Sequence, residues 1–423
     1  MVVLGMASSP PEEETLRPRR RGSRADALLT FAGHFTVGLG LWAVIALLAR
    51  EGAREAVGQY ALALAVTSPA SQWANLQLRM LLATDARNEV AARDAWRVAV
   101  GANLGAIAVT CALASLVGWG PWWLIAASSV AKAIDNFAEL VDGHMQRRLE
   151  FRASAAGKVV RATCLVGGTA AVLAQGMGLA GVAGVLVLAS LAGFVVNGGF
   201  ARRWRGAAGE HTYVGLSALL RRAVPLGAVL FLVSLQQNIP RYIVEGELGV
   251  DALGLFTAVN YFTVAASLLV QAVSQAAFPR IADDLAKAEV GRARRRLVRL
   301  LLAVVAIAAL GVAGSWALGD VLLAVLYGPA FRDGAGLFVG LMGAAAFNFI
   351  ASVFRHLLTT LGRVRGQTLL LLASSAVAAG GGYLGVMWAG LSGMVLTLLL
   401  LAVAHGVVLG ALALRAWRHA VRG

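Results

Sequence analysis

The sequence predicts an all-α polytopic membrane protein of about twelve transmembrane helices, arranged as two pseudo-symmetric six-helix lobes with both termini cytoplasmic. Three observations predict it: the apolar content, the alternation of basic residues between successive segments, and a twofold echo in the chain. Apolar residues make up 59% of the 423 positions and charged residues 14%. That is more apolar surface than a soluble fold of this length hides. It is gathered into runs of roughly 18 residues or more, the length a helix needs to cross a bilayer. Lipid offers open backbone no hydrogen-bond partner, so each run reads as a helix and not a strand.

Taken in order, the spans fall at 27–49, 57–82, 97–118, 121–143, 157–175, 179–200, 218–240, 253–278, 298–318, 335–361, 367–389 and 391–414. Residues 1–26 are polar, with Glu12–Glu14 followed by Arg17–Arg24, and read as a disordered cytoplasmic tail. The apolar run behind it is too long for a signal-peptide core and no small-residue cleavage site follows, so it reads as the first permanent span. Residues 27–205 then form an N-terminal lobe, 206–217 a cytoplasmic linker and 218–423 a C-terminal lobe. The inner segment Arg280–Arg299 sets Ile281, Leu285, Val290, Leu297 and Val298 among arginines, an amphipathic pattern expected to lie along the headgroup plane. Every outer loop is short, the longest near 318–334, which leaves no room for a folded catalytic domain and argues against an enzyme.

With the N-terminus inside, thirty of the 37 Lys and Arg residues fall on inner segments or their edges. Only Arg50, Arg54, Arg241 and Arg332 fall outside, and Arg79, Lys132 and Arg355 lie within spans. This is the positive-inside pattern. It explains the net charge of +15 as topology, with an attraction to membrane lipids of anionic headgroup, and no nucleic-acid partner is expected. Cys111 and Cys164 sit within spans without metal-ligand spacing, so neither a metal nor another cofactor is expected.

The echo is the pair of hexamers Glu55-Ala-Val-Gly-Gln-Tyr60 and Asp251-Ala-Leu-Gly-Leu-Phe256, which open spans 2 and 8 at an offset of 196 residues. An even number of spans separates them, so both copies run the same way through the membrane. Parallel repeats of this kind build transporters whose substrate is handled between the halves.

Polar residues within spans mark candidate sites, because an ionisable group facing lipid costs several kcal/mol. Lys132, Asp135, Asn136, Glu139 and Asp142 recur at helical spacing in span 4 and are expected to line one hydrated face. Asp135 and Glu139 are the candidates for carrying a coupling proton or sodium ion, and Lys132 is expected to pair with Asp135 or Asn136. Span 2 aligns Gln72, Asn75 and Arg79 beyond Ser68-Pro69, where a kink is expected. Span 7 ends on Gln236, Gln237 and Asn238 before Pro240, and span 8 offers Asn260 and Gln271, amides suited to sugar hydroxyls. Arg355, with Arg79 and Lys132, would give a cationic cavity for an anionic ligand.

Three segments carry a resemblance: Asn75–Asn88 (NLQLRMLLATDARN), Gln146–Arg152 (QRRLEFR) and Gln237–Gly254 with Gln275–Arg280 (QAAFPR). They resemble bacterial polysaccharide-biosynthesis (oligosaccharide or O-antigen) flippases of the MATE-like multidrug/oligosaccharidyl-lipid/polysaccharide exporter superfamily. The resemblance implies a V-shaped pair of six-helix lobes in the bacterial inner membrane. They would carry a polyprenyl-pyrophosphate-linked oligosaccharide to the outer leaflet by alternating access, alongside other polysaccharide-assembly membrane proteins. It implies that a cationic central cavity receives the pyrophosphate and sugar, with Arg79, Lys132 and Arg355 as the matching cations. A cation-coupled drug exporter or a peptidoglycan-precursor flippase of the same fold is the alternative. A glycan polymerase would need a large outer loop that this chain lacks, and a major-facilitator porter a basic loop where Thr84–Asp94 stands.

Overall fold

A computed structural model describes residues 24–51, 54–85, 90–147, 150–201, 215–363 and 365–422. The tail expected over 1–26 lies outside the described residues up to residue 23, and the linker expected over 206–217 lies outside them up to residue 214. The described chain is helical: α1 (Arg24–Arg50), α2 (Arg54–Asn75), α3 (Leu78–Thr84), α4 (Ala92–Val117), α5 (Trp122–Arg147), α6 (Phe151–Ala174), α7 (Gly178–Ala201), α8 (Leu216–Ala286), α9 (Val290–Tyr327), a 3₁₀ turn at Pro329–Gly334, α10 (Ala335–Thr360) and α11 (Arg365–Arg422). Eight helical segments among the described residues are long and apolar enough to cross a membrane. Large apolar side chains point outward along them, among them Leu104, Leu188, Leu302, Leu310, Trp316, Leu384 and Val407. Such a surface is stable only against lipid, so the chain is a multi-pass integral membrane protein.

Helices α8 and α11 are too long to be single passes. At 1.5 Å per residue, their 71 and 58 residues would run far beyond a hydrocarbon core of roughly 30 Å. α8 breaks at Gly249, whose φ of 82° suits a residue without Cβ. α11 breaks at Ala389 and Gly390 and folds back, so that Thr397 donates to the Gly381 carbonyl oxygen at 3.0 Å and the backbones of Gly385 and Gly393 touch. The helix does not stop at Pro240, as the sequence suggested, but runs through it to the break at Gly249. Arg280–Arg299 spans the end of α8, a tight turn at 287–289 and the first turns of α9, which hold most of its arginines.

Helices α1, α5, α6 and α7 pack on one another, as do α9, α10 and α11 together with α8. The two groups meet mainly where α2 lies on α8. The contact is closest at the two hexamers: an added Cβ on Gly58 would sit 1.9 Å from the Val250 carbonyl oxygen, and one on Gly254 would sit 2.0 Å from the Arg54 carbonyl oxygen. Residues 54 and 58 are each 196 positions from 250 and 254, so the crossing maps onto itself under rotation about a pseudo-twofold axis. The repeat glycines exist to let two backbones touch.

α2 continues through Pro69 without breaking there. The proline's missing N–H frees the Ala65 carbonyl oxygen, and the Tyr242 hydroxyl of α8 donates to that oxygen at 2.7 Å. The break comes later, at Leu76 and Gln77, whose φ values of 49° and 53° are costly for residues with a Cβ.

Candidate functional site

The polar stripe of α5 divides between two neighbouring faces. Positions 132, 136 and 139 face α2 and α4, whereas 135 and 142 point toward α6 and α7. On the first face, Asn136 donates to the Asn103 side-chain oxygen at 2.8 Å and to the Ser71 carbonyl oxygen at 3.2 Å. Asn75 donates to Asn136 at 3.1 Å and to Glu139 at 2.9 Å, and the Arg79 Nε lies 3.8 Å from the same Glu139 oxygen. This network braces the α2–α3 break. Gly143 of α5 and Gly227 of α8 allow the close approach, since a Cβ on either would lie 2.8 and 3.0 Å from the carbonyl oxygens of Arg79 and Trp73.

On the second face, Arg161 of α6 holds Asp135 through two bonds, Nε to Oδ1 at 2.6 Å and Nη2 to Oδ2 at 2.5 Å. Lys158 of α6 pairs with Asp142, which is 1% exposed, and donates to Ser154 at 3.0 Å. Asn197 of α7 donates to the other Asp142 oxygen at 3.0 Å. The tight α6–α7 crossing that sets this geometry runs through Gly157 and Gly193, whose added Cβ atoms would meet Asn197 and Arg161. Sequence reasoning had assigned Lys158 and Arg161 to an inner segment. Their partners lie on another helix, so no spacing within one segment announces the pairs.

Between these helices lies a cavity of about 230 Å³, lined by α1, α2, α5, α6 and α7. Its polar wall comprises His34, Ser128, Lys132, Asp135, Glu139, Asp142, Lys158, Arg161, Ser190 and Asn197. Lys132 pairs with neither Asp135 nor Asn136, as the sequence had suggested, but donates to the Ser68 hydroxyl at 2.7 Å. Asp135, Glu139 and Asp142 are each paired with another cation, so Lys132 makes no ion pair among the described residues, although Asp135 lies within its electrostatic range. Arg241 of α8 is in a similar position and within electrostatic range of Lys132. Its Nη1 donates to Asn238 at 2.7 Å, while its Nε is buried without a partner. Sequence reasoning had put Arg241 in an outer loop because Pro240 seemed to end the helix.

The other expected site residues lie apart from this cavity. Gln72 and Gln237 are exposed on α2 and α8, and Gln271 is exposed on the second half of α8. Asn238 serves Arg241, and the Asn260 side chain accepts from Thr263 at 3.1 Å. Arg355 is exposed on α10; its carbonyl oxygen accepts from the Thr359 hydroxyl at 3.0 Å, and its guanidinium makes no ion pair among the described residues. No group of three or more His, Cys, Asp or Glu side chains among the described residues is arranged to hold a metal ion.

No protein-family model matches the sequence, and no curated protein is similar to it in sequence. Solved structures do match its fold. An inward-facing multidrug resistance MATE family transporter of the MOP superfamily superposes with a TM-score of 0.67 at 12% identity, covering 95% of this chain and 96% of that one. An outward-facing multidrug resistance MATE family transporter of the same superfamily gives 0.64 at 12% identity over 95% and 100%. A MATE crystallised in complex with MaL6 gives 0.64 at 13% identity over 94% and 96%. The chain is thus a multi-pass membrane protein with the MATE fold.

Proposed function

We propose that this protein flips a polyprenyl-pyrophosphate-linked oligosaccharide from the inner to the outer leaflet of the bacterial plasma membrane, for surface polysaccharide biosynthesis. The carrying observation is a pair of cations, Lys132 in the cavity wall and Arg241 on α8, that make no ion pair among the described residues. Asp135, Glu139 and Asp142 are held by Arg161, Arg79 and Lys158, so Lys132 shares Asp135 with Arg161 and has no ion-pair partner of its own, and Arg241, outside the cavity wall, has none either. A site for a cationic drug needs an unmatched acid, and a site for a pyrophosphate needs unmatched cations. The MATE fold supports alternating access, and the three sequence segments quoted above support the glycolipid cargo.

In this reading the chain makes twelve passes with both termini cytoplasmic, as lobes 27–205 and 218–423. The end at Gly249 is then the outer one, and it is closed. Arg50 donates to the Val325 carbonyl oxygen at 2.6 Å, Arg54 pairs with Asp333 and lies 3.8 Å from Asp251, and Trp42 donates to Tyr327 at 2.8 Å. With the glycine crossing, these contacts hold the lobes together outside. Lys132 on one lobe and Arg241 on the other bind the diphosphate from two sides. Gln72, Asn75, Gln237, Asn260 and Gln271 serve the sugar, Arg355 extends the positive field toward the cytoplasm, and Arg79 joins it when its pair with Glu139 opens. Asp135 and Glu139 exchange a proton or sodium ion only if their ion pairs with Arg161 and Arg79 open during the cycle.

The second reading is a cation-coupled drug exporter, which the multidrug neighbours of the same fold favour. A strain lacking the protein separates the two. Accumulation of lipid-linked oligosaccharide on the cytoplasmic leaflet, relieved by the wild type but not by Lys132→Ala, supports the flippase. An intact surface glycan with no accumulation overturns it.

A further inference from the structure

The α8–α9 turn carries a charge excess that no contact within the protein uses. Its acids are consumed locally: Asp283 pairs with Lys287 at 2.8 Å, Glu289 with Arg292, and Asp284 with Arg296 at 3.1 Å. Arg294, Arg295 and Arg299 are exposed and have no ion-pair or hydrogen-bond partner among the described residues. Helix stability does not account for them. Cations in the first turns of a helix oppose its dipole, which favours acids at that end. Nor do they cover apolar core, because Ala293, Leu300 and Val304 occupy the buried face of α9.

What shares their face is apolar. At 3.6 residues per turn, Arg294, Arg295 and Arg299 line up with Val298, Leu302, Val305 and Trp316, which are 45%, 63%, 45% and 79% exposed. Three guanidinium groups therefore sit at the head of a continuous hydrocarbon stripe. We infer that this face of α9 holds a phospholipid of anionic headgroup. The phosphodiester lies on Arg294, Arg295 and Arg299, and an acyl chain runs down Val298, Leu302 and Val305. Guanidinium suits the phosphate because it donates two parallel bonds to it. The stripe selects a lipid over a free anion, since only a lipid covers both parts. The surface lies apart from the cavity of α1, α2, α5, α6 and α7, so the inference stands whether or not the cargo is a glycolipid.

Native mass spectrometry of the detergent-purified protein, titrated with phosphatidylglycerol or phosphatidylcholine, tests this. The wild type is expected to retain phosphatidylglycerol in preference to phosphatidylcholine. Each arginine removed should weaken that retention about fivefold, and Arg294→Gln/Arg295→Gln/Arg299→Gln together on the order of a hundredfold. The single variant Arg295→Gln serves if the triple variant does not purify as a folded protein, and Leu302→Gln should weaken binding with the charges intact. Equal retention of both lipids by the wild type overturns the inference, as does unchanged phosphatidylglycerol binding in the arginine variants. Displacement of phosphatidylglycerol by millimolar inorganic phosphate overturns the lipid assignment in favour of a free-anion site.

Discussion

The glycine crossing of α2 and α8 makes a quantitative prediction. Alanine at position 58 puts a Cβ 1.9 Å from the Val250 carbonyl oxygen and 2.7 Å from the Val250 Cγ1. A carbon–oxygen contact needs about 3.3 Å, so the two backbones must part by about 1.4 Å. No rotamer change relieves this, because the obstructing atom belongs to the main chain. Overpacking of this kind costs about 1–3 kcal/mol, and the cost falls only on the state in which the crossing is closed. A bias of that size shifts the ratio of closed to open states roughly 5- to 150-fold. The assay is a spin-label distance between Glu55→Cys and Glu247→Cys, both exposed near the Gly249 end, in a Cys111→Ser/Cys164→Ser background. Gly58→Ala should add a long-distance component absent from the parent. Gly101→Ala, whose Cβ would meet nothing within 4 Å, should leave the distribution alone. An unchanged distribution in folded Gly58→Ala, or the same change in Gly101→Ala, refutes the reasoning.

Other outcomes follow from the same contacts. Tyr242→Phe strands the Ala65 carbonyl oxygen that Pro69 leaves without its helical donor, and should cost about 1–3 kcal/mol of stability in a thermal unfolding assay. Asp142→Leu leaves Lys158 buried without its partner and should cost about 3–5 kcal/mol, most of it recovered in Asp142→Leu/Lys158→Met, because the loss comes from the stranded charge. Arg54→Ala removes contacts to Asp333 and Asp251 and should raise labelling of an outer-facing cysteine without lowering the melting temperature by more than a few degrees.

Much of the fold was legible because bilayer length is a property of the chain: the long apolar runs are helices long enough to cross a membrane. The Gly58 and Gly254 echo marked in advance the place where the two groups of helices touch. The sequence misled at Pro240, which reads as a helix end, and at Pro69, which reads as a kink. Pro69 and Pro240 both sit inside continuous helices, since a neighbouring hydroxyl or the surrounding packing makes up for one lost hydrogen bond. The break came at Leu76 and Gln77 instead, which no glycine or proline announces. Site reading failed for a related reason. Lys158 and Arg161 were counted with the inner charges because their partners, Asp142 and Asp135, lie on another helix, and pairing between helices is not written in linear spacing. Lys132 was recognised, but its lack of an ion pair became visible only once those partners were assigned.

The central claim is that the unmatched cations handle a diphosphate-linked glycolipid. Its most direct test is leaflet-resolved translocation of a polyprenyl-pyrophosphate oligosaccharide in proteoliposomes. The wild type should equilibrate the lipid between leaflets, while Lys132→Gln and Arg241→Gln, folded and equally abundant, should each slow it at least about tenfold, the loss expected for one charge-assisted contact. Absence of translocation by the wild type, or equal rates in all three proteins, would contradict the account and turn attention to small-molecule export.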